Sequence, residues 1–346
     1  MATKHKGYLG AFYGPIMVML DDCNVIWTAG THGTPTLETS DVKEGTGCAK
    51  ITIASAEAGD IVATHDFAAL DITDQNRVRL WIKSTKTTEL GDLQLIIDET
   101  AACAGDPPEE VIDIPVLTAN IWTLINLTLA DASALNAVIS VGLKYTANPQ
   151  DAVVYIDQIR AISSVAISAE DVGTGDGETT GFDLDHADVD LESLVVKLDG
   201  SASTIDYTVT VKGHIVFASA PANEAAITAD YDYWVLEQKG GFKNWSFTHG
   251  ADIVDDSDFS ITDGWKTFQA MLKNWTGSAE QFWVEKDWHD AAGMLLIVKF
   301  YEDTGNTLRH EGWAYITGIS TNAPVNELIN QSVSFQGNKV LSYETS

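Results

Sequence analysis

Along the first half of the chain, apolar and polar residues alternate with a period of two. The runs are short and divided by Gly, Asp, Asn and Pro. Residues 48–54 (CAKITIA), 77–83 (RVRLWIK), 92–98 (DLQLIID) and 110–117 (EVIDIPVL) read as strands, as do 121–129 (IWTLINLTL), 137–144 (AVISVGLK) and 152–159 (AVVYIDQI). Strands so punctuated predict a β-sandwich, with 131–136 (DASALN) as a helical turn between two of them. Trp81 and Trp122 lie within apolar strands and are expected in its core.

The texture changes near Ser163. ESLVVKLDG, IDYTVTVKGHIVFASAP and AAITADYDYWV follow in quick succession, with Asp199-Gly200 and Lys212-Gly213 where hairpin turns require positive φ. A compact all-β module over 163–236 is expected. The last segment adds strands at 242–248, 294–301, 312–319 and 331–336. Its one helical signal is Trp265, Phe268, Leu272 and Trp275 on a single face, with Asp263 as cap and Gly277 as stop. That helix is expected to flank the sandwich. Two alternating runs, 313–319 and 331–335, enclose a polar connection over 321–330 that is too long for a tight turn. The connection suits a contact arm, or else a plain surface loop.

The 346 residues leave room for two or three domains, and 45% hydrophobic content excludes disorder as the general state. No run of eighteen apolar residues exists, so no membrane insertion is expected. The start, MATKHKGYLGAFYGPIMVML, is broken by Gly7, Gly10, Gly14 and Pro15 and reads as a mature N-terminus, not a signal peptide. Cys23, Cys48 and Cys103 have neither CxxC spacing nor an even count, and free buried thiols are expected.

Charge changes the picture more. Fifty acids against twenty bases give −30, spread as −11 over 1–162, −12 over 163–236 and −7 over 237–346. Such a surface repels phosphate and excludes ordinary nucleic-acid recognition. Solubility, a saline habitat, or a surface past which DNA slides without sticking would each account for it.

No catalytic constellation stands out. His65-Asp66, His289-Asp290 and His310-Glu311 are sequence neighbours that strands aim to opposite faces. GTGDGETTG (173–181) lacks the lysine of a phosphate loop. The cluster Asp252, Asp255, Asp256 and Asp258 lacks the glycine and distal glutamate of a calcium loop and reads as a solvated acidic segment. A non-enzymatic role is expected.

In 237–346 the order is "DSDF…DGW", a helix, "NWTGSAEQFWV", "LLIVKFY", "HEGWAYITGIS", a polar connection and "SVSFQGNKVLSY". That order resembles the major tail tube protein of long-tailed bacterial or archaeal viruses. The resemblance implies a virion protein forming homo-hexameric rings. They stack into a tube that passes viral DNA, with other tail proteins at its ends and assembly in the host cytoplasm. Residues 163–236 look like small β modules of phage structural proteins. The pattern Trp27 … 42–46 (VKEGT) … 70–72 (LDI) … 80–83 (LWIK) … Trp122 … 155–159 (YIDQI) is similar to jelly-roll carbohydrate-binding modules. This second resemblance implies a structural calcium held by Asp157, with Asp22 or Glu44 assisting, and a host-surface glycan as partner.

The expected architecture is therefore mainly β and multi-domain. It comprises an arm or tube strand over 1–20, a jelly roll over 21–162, the small module over 163–236 and the tube sandwich over 237–346. If 1–20 belongs to the tube sandwich, the jelly roll is an insertion into it. Deleting about residues 21–162 should then leave thinner but intact tubes. Glu302, Asp303 and Glu311 are candidates for a modest acidic ring facing the lumen. The alternative function is a soluble or virion-displayed carbohydrate-binding adhesin.

Overall fold

A computed structural model describes residues 10–147, 151–242, 244–255, 268–282, 295–302, 308–322 and 329–345. It divides into two compact units, one of residues 16–164 and one that joins residues 1–15 to 165–346. The architecture is a set of antiparallel β-sheets, as the alternating pattern predicts.

The 16–164 unit contains β2 (Met17–Asp21), β3 (Thr28–Ala29), β4 (Gly33–Glu38), β5 (Cys48–Ile53), β6 (Ile61–Leu70) and β7 (Arg77–Ser84). It continues with β8 (Leu93–Asp98), β9 (Glu110–Asp113), β10 (Thr123–Thr128), β11 (Val138–Tyr145) and β12 (Val153–Ile162). Five strands run in the order β10-β7-β12-β5-β4, with β2 added on β12, and face a second sheet ordered β3-β6-β11-β8-β9. Period-two alternation explains the packing. Val78, Leu80 and Ile82 of β7 turn inward with Ile51, Ile53, Val154 and Ile156 to meet Leu95, Ile97, Val141 and Leu143. Residues 132–134 form the expected short turn of 3-10 helix, capped by the Asp131 carboxylate.

The other unit begins with β1 (Gly10–Pro15) and resumes with β13 (Ser164–Thr174), β14 (Gly181–Asp183), β15 (Val195–Leu198) and β16 (Ser201–Ala202). β17 (Tyr207–Val209), β18 (His214–Phe217) and β19 (Ala226–Trp234) complete a small module of two sheets. The β15–β16 turn places Asp199 and Gly200 at φ of 51° and 79°, the conformation a two-residue hairpin of this type demands. The last strands are β20 (Leu236–Phe242), β21 (Asn244–Asp255), β22 (Phe268–Phe282), β23 (Leu295–Tyr301), β24 (Leu308–Asn322) and β25 (Asn330–Thr345).

These strands and β1 form one sheet in the order β20-β1-β23-β24-β25-β22-β21. β20 and β21 are separated by a single residue in sequence yet stand at opposite ends of that order, so the sheet must curl back on itself. Phe300 lies inside the curl, with ring centroids 5.0 Å from Trp245, 5.7 Å from Phe247 and 5.5 Å from Phe335. Gly337 and Gly277 make room for this interior. A Cβ on Gly337 would sit 2.0 Å from the Trp275 ring, and one on Gly277 would sit 2.3 Å from Phe335. The small module shares a core with this sheet through Ile297 and Trp313, and Lys299 pairs with Asp188 at 3.2 Å.

The expected helix is not present where the structure describes it. Phe268, Leu272 and Trp275 lie on β22, where Phe268 pairs with Asp255 and Trp275 with His249 of β21, and Leu272 falls at a register shift between them; Asp263 and Trp265 fall outside the described residues. Aromatic residues are at home in strands as well as on helix faces, and the partner strand decides between the two. Phe268 and Leu272 are 59% and 77% exposed, so neither packs on the sandwich.

All three cysteines are free and buried. Burial pushes the Cys48 and Cys103 thiols up to about 12, and the Cys23 thiol is also raised well above its usual value. A thiol reagent is therefore expected to leave the native protein unlabelled and to titrate three groups after denaturation. Native labelling would contradict the packing around them.

Candidate functional site

Two surfaces carry chemistry that packing alone does not use. The first is the far end of the β21–β22 ribbon. The ladder runs from Asn244↔Glu280 to Asp255↔Phe268, but β25 supports β22 only from Thr276 to Phe282. Among the described residues, β21 and β22 continue beyond Thr276 as a two-stranded ladder. Ile253, Val254, Phe268 and Leu272 on this extension are 66%, 48%, 59% and 77% exposed. An isolated two-stranded ribbon is marginal in water, and four bare apolar side chains add to its cost.

The second surface is the outward face of the sheet containing β7 and β12. The same alternation that buries Leu80 turns Arg79, Trp81 and Lys83 outward beside Tyr155. Trp81 and Trp122, expected in the core, are both only half-buried on this face. Trp122 meets Tyr155 edge-on at 6.1 Å. Lys83 stands over both rings, 4.0 Å from Tyr155 and 5.0 Å from Trp122, and Lys43 stands 4.5 Å over Trp81.

A loop over 39–47 supplies carboxylates to this face. Trp122 Nε1 donates to Asp41 at 2.9 Å and Trp81 Nε1 donates to Glu44 at 3.2 Å. Lys83 pairs with Asp41, Arg160 with Glu44, and Lys50 with Glu38 at 3.0 Å. The Ser40 hydroxyl and backbone, with Lys50, hold the Glu38 carboxyl down to about 2, and Lys83 holds Asp41 below the usual range. Lys50, Lys83 and Arg160 are thus each matched by an acid. The surface is polar and aromatic and carries little net charge.

Asp157 anchors the loop from behind. Its Oδ2 accepts from the backbone of Lys43 at 2.9 Å and Glu44 at 3.0 Å, while Oδ1 has no partner. Of the three residues named for calcium, Asp157 and Glu44 meet through this loop. The Glu44 carboxylate, however, is engaged by Arg160 and Trp81, and Asp22 instead accepts from the Asn24 backbone at 3.0 Å. Among the described residues, no three acidic, histidine or cysteine side chains are placed to hold a metal.

Burial pushes Asp157 up to about 6, and hydrogen bonding to Asp21 at 2.8 Å raises His65. Both groups bind their proton more tightly folded than unfolded. The Asp157 contribution grows as pH falls through about 6. The His65 contribution is complete below its unfolded value near 6.5 and is lost as pH rises through its raised folded value. The depressed Glu38 and Asp41 lose their contribution only below about 4.5. Melting of the 16–164 unit is therefore expected at higher temperature near pH 5.5 than near pH 8, by roughly a few degrees. Asp157→Asn should flatten that slope around pH 6; an unchanged slope would show that Asp157 does not titrate there.

Other expected chemistry is structural or undescribed. Glu311, named for an acidic ring facing a lumen, is 1% exposed and pairs with Arg309 at 2.8 Å, so its carboxylate is unavailable to any lumen. Glu302 accepts from His310 at 2.9 Å and from Tyr343 at 3.3 Å. Asp256, Asp258, His289, Asp290, Asp303 and residues 323–328 of the polar connection lie outside the described residues.

No family model matches the chain, and no curated protein matches it either. Similarities to solved structures are distant. A chain in the virion of a native gene transfer agent particle is 15% identical, with 32% of this chain and 89% of that one covered at a TM-score of 0.27. The CBM22-1 xylan-binding domain from Paenibacillus barcinonensis is 13% identical, with 47% and 97% covered at 0.29. The CBM22-1–CBM22-2 tandem from the same organism is 10% identical, with 69% and 93% covered at 0.30.

Proposed function

We propose that this chain is a structural protein of a viral tail, whose copies join into hexameric rings that stack as a tube for DNA. The observation that supports it is the unsupported β21–β22 ribbon with its bare apolar side chains. A surface of that kind is unfavourable on a monomer and becomes favourable when a second copy covers it. The curled sheet agrees with the order of motifs in 237–346 that resembles tail tube proteins, and it recruits β1 as well. Other tail proteins would cap the tube ends, assembly would take place in the host cytoplasm, and the chain would have no catalytic role. Sedimentation and negative-stain microscopy of the purified protein test it, at a salt concentration where surface charges are screened beyond about 8 Å. Rings or filaments are expected; a protein that stays monomeric at high concentration would overturn the reading.

A second reading belongs to the 16–164 unit and rests on its outward polar-aromatic face. Half-buried aromatic rings offer apolar surface to a pyranose, while the charged side chains around them offer hydrogen bonds to hydroxyls. On this reading the inserted unit is a decoration that holds a glycan. Trp122→Ala is expected to weaken retention on polysaccharide by roughly ten-fold or more, without lowering the melting temperature of the unit. Equal retention of wild type and variant on every polysaccharide tried would remove the glycan from this face.

A further inference from the structure

Two side chains of the 39–47 loop are held in the same way on the outward face of β7 and β12. Asp41 sets one oxygen on the Trp122 indole N–H at 2.9 Å and the other on the Lys83 ammonium. Glu44 sets one on the Trp81 indole N–H at 3.2 Å and the other on the Arg160 guanidinium. Each is a seat for a carboxylate, made of one indole donor and one cation. Trp81 and Lys83 stand two residues apart on one face of β7, which spaces the seats about 7 Å along the strand.

Donors and acids differ in how they are held. The Lys83 and Arg160 side chains are 8% and 13% exposed, whereas those of Asp41 and Glu44 are 53% and 33% exposed. The seats thus belong to the sheet, and their present occupants come from the loop and face water. The loop backbone is fixed by other bonds. Lys43 and Glu44 donate their N–H groups to Asp157, and Thr46 donates its own to Asn24 at 3.1 Å. The two carboxylates can therefore leave by rotation of their own side chains while the loop stays in place. Ion pairs with an exposed partner contribute little to stability, so the exchange costs little when another carboxylate arrives. Trp81, Trp122 and Tyr155 surround the seats with aromatic surface, which suits the apolar side of sugar rings.

We infer that this face takes an acidic polysaccharide of uronate sugars, whose carboxylates replace those of Asp41 and Glu44 in the two seats. The inference rests on the glycan reading of the 16–164 unit and adds the ligand's charge and the residues that select for it. Asp41 and Glu44 are competitors for their own site. They satisfy Lys83 and Arg160 while the face is empty, and they exclude a ligand that has no carboxylate to offer in exchange. A neutral glycan finds the indole donors already taken.

The test is retention of the full chain on immobilised polygalacturonate, with the fully methyl-esterified polymer beside it. The ester has the same sugars without the charge. A chelator keeps divalent ions from bridging carboxylates, and about 0.15 M salt screens the charge of −30 beyond about 8 Å. Wild type should be held by the acid polymer and not by the ester. Asp41→Asn combined with Glu44→Gln should strengthen retention on the acid polymer roughly ten-fold or more, because the competing charges are gone. Lys83→Met should weaken it by a similar factor. The gain is the decisive readout, since carboxylates with a merely structural role would give equal or weaker retention once removed. A double variant that melts as wild type does and binds no more tightly would overturn the inference. If the double variant does not fold, wild type decides: trigalacturonate should elute it from the acid polymer at a concentration where the methyl ester of trigalacturonate does not. Elution by both alike would overturn the inference. Equal retention on acid polymer and ester would also overturn it and leave the glycan reading standing. Retention on no polysaccharide would remove the glycan reading and the inference together. Poly-glutamate held as tightly as polygalacturonate would give the seats to an acidic peptide and overturn the uronate assignment.

Discussion

Phe268→Asp combined with Leu272→Asp is expected to abolish assembly while the chain stays folded. Both side chains stand on the two-stranded extension and are 59% and 77% exposed, so neither supports the interior. If a second copy covers them, each contributes about 2 kcal/mol, and losing both lowers the association constant roughly a thousand-fold. Paired aspartates add repulsion between copies that already carry −30 each. Circular dichroism and thermal melting should match wild type, while sedimentation should show only monomer. Rings that persist in the double variant would show that the extension is not the joint.

Phe300→Ala is expected to cost about 3–5 kcal/mol, with a corresponding fall in the melting temperature of the unit that contains it. Phe300 has no exposed surface, and its ring is surrounded by Trp245, Phe247 and Phe335. These neighbours come from β21 and β25, whereas Phe300 is on β23, so truncation opens a cavity where the curled sheet closes on itself. Phe268→Ala is the paired control and should leave the melt almost unchanged, because its side chain is outside. The 16–164 unit melts on its own core, so the measurement needs a probe in the tryptophans of the curled sheet. Equal melting of Phe300→Ala and wild type would mean that the ring cluster does not hold the sheet closed.

Local alternation carried most of the fold. The sequences of β5 and β7 alternate, β8 runs apolar through Leu95, Ile96 and Ile97, and the run Gln331–Phe335 of β25 alternates cleanly. The places where the pattern misled have physical causes. Phe268, Leu272 and Trp275 satisfy a helical period, but hydrogen bonding to β21 overrides it, and that partner is fixed by pairing rather than by local sequence. Trp81 was legible after all, since it shares parity with Arg79 and Lys83 and so belongs to their face; judging the run by its apolar content hid that. Glu311 lies opposite Lys299 on the side of the sheet that the small module covers, as Trp313 does, so its carboxylate is buried there beside Arg309. Ser246, Ser278 and Ser334 fall at alternating positions of their own strands, yet only the register of β21, β22 and β25 reveals that they line up. Nothing local shows that β1, rich in glycine, pairs with strands more than two hundred residues later.

That last pairing has a kinetic consequence. β1 bonds to β20 on one side and to β23 on the other, with Gly10 opposite both Phe242 and Phe300. As the chain leaves the ribosome, β1 emerges before both partners: β20 follows at residues 236–242 of 346 and β23 at residues 295–301. Residues 16–164 have a core of their own and can close before either partner appears. The curled sheet then faces a loop closure spanning most of the chain, which makes its completion the slow step of folding. Newly made chains therefore pass through a stage with one finished unit and one open-edged sheet lacking its N-terminal strand, and chaperones would find their target in that stage.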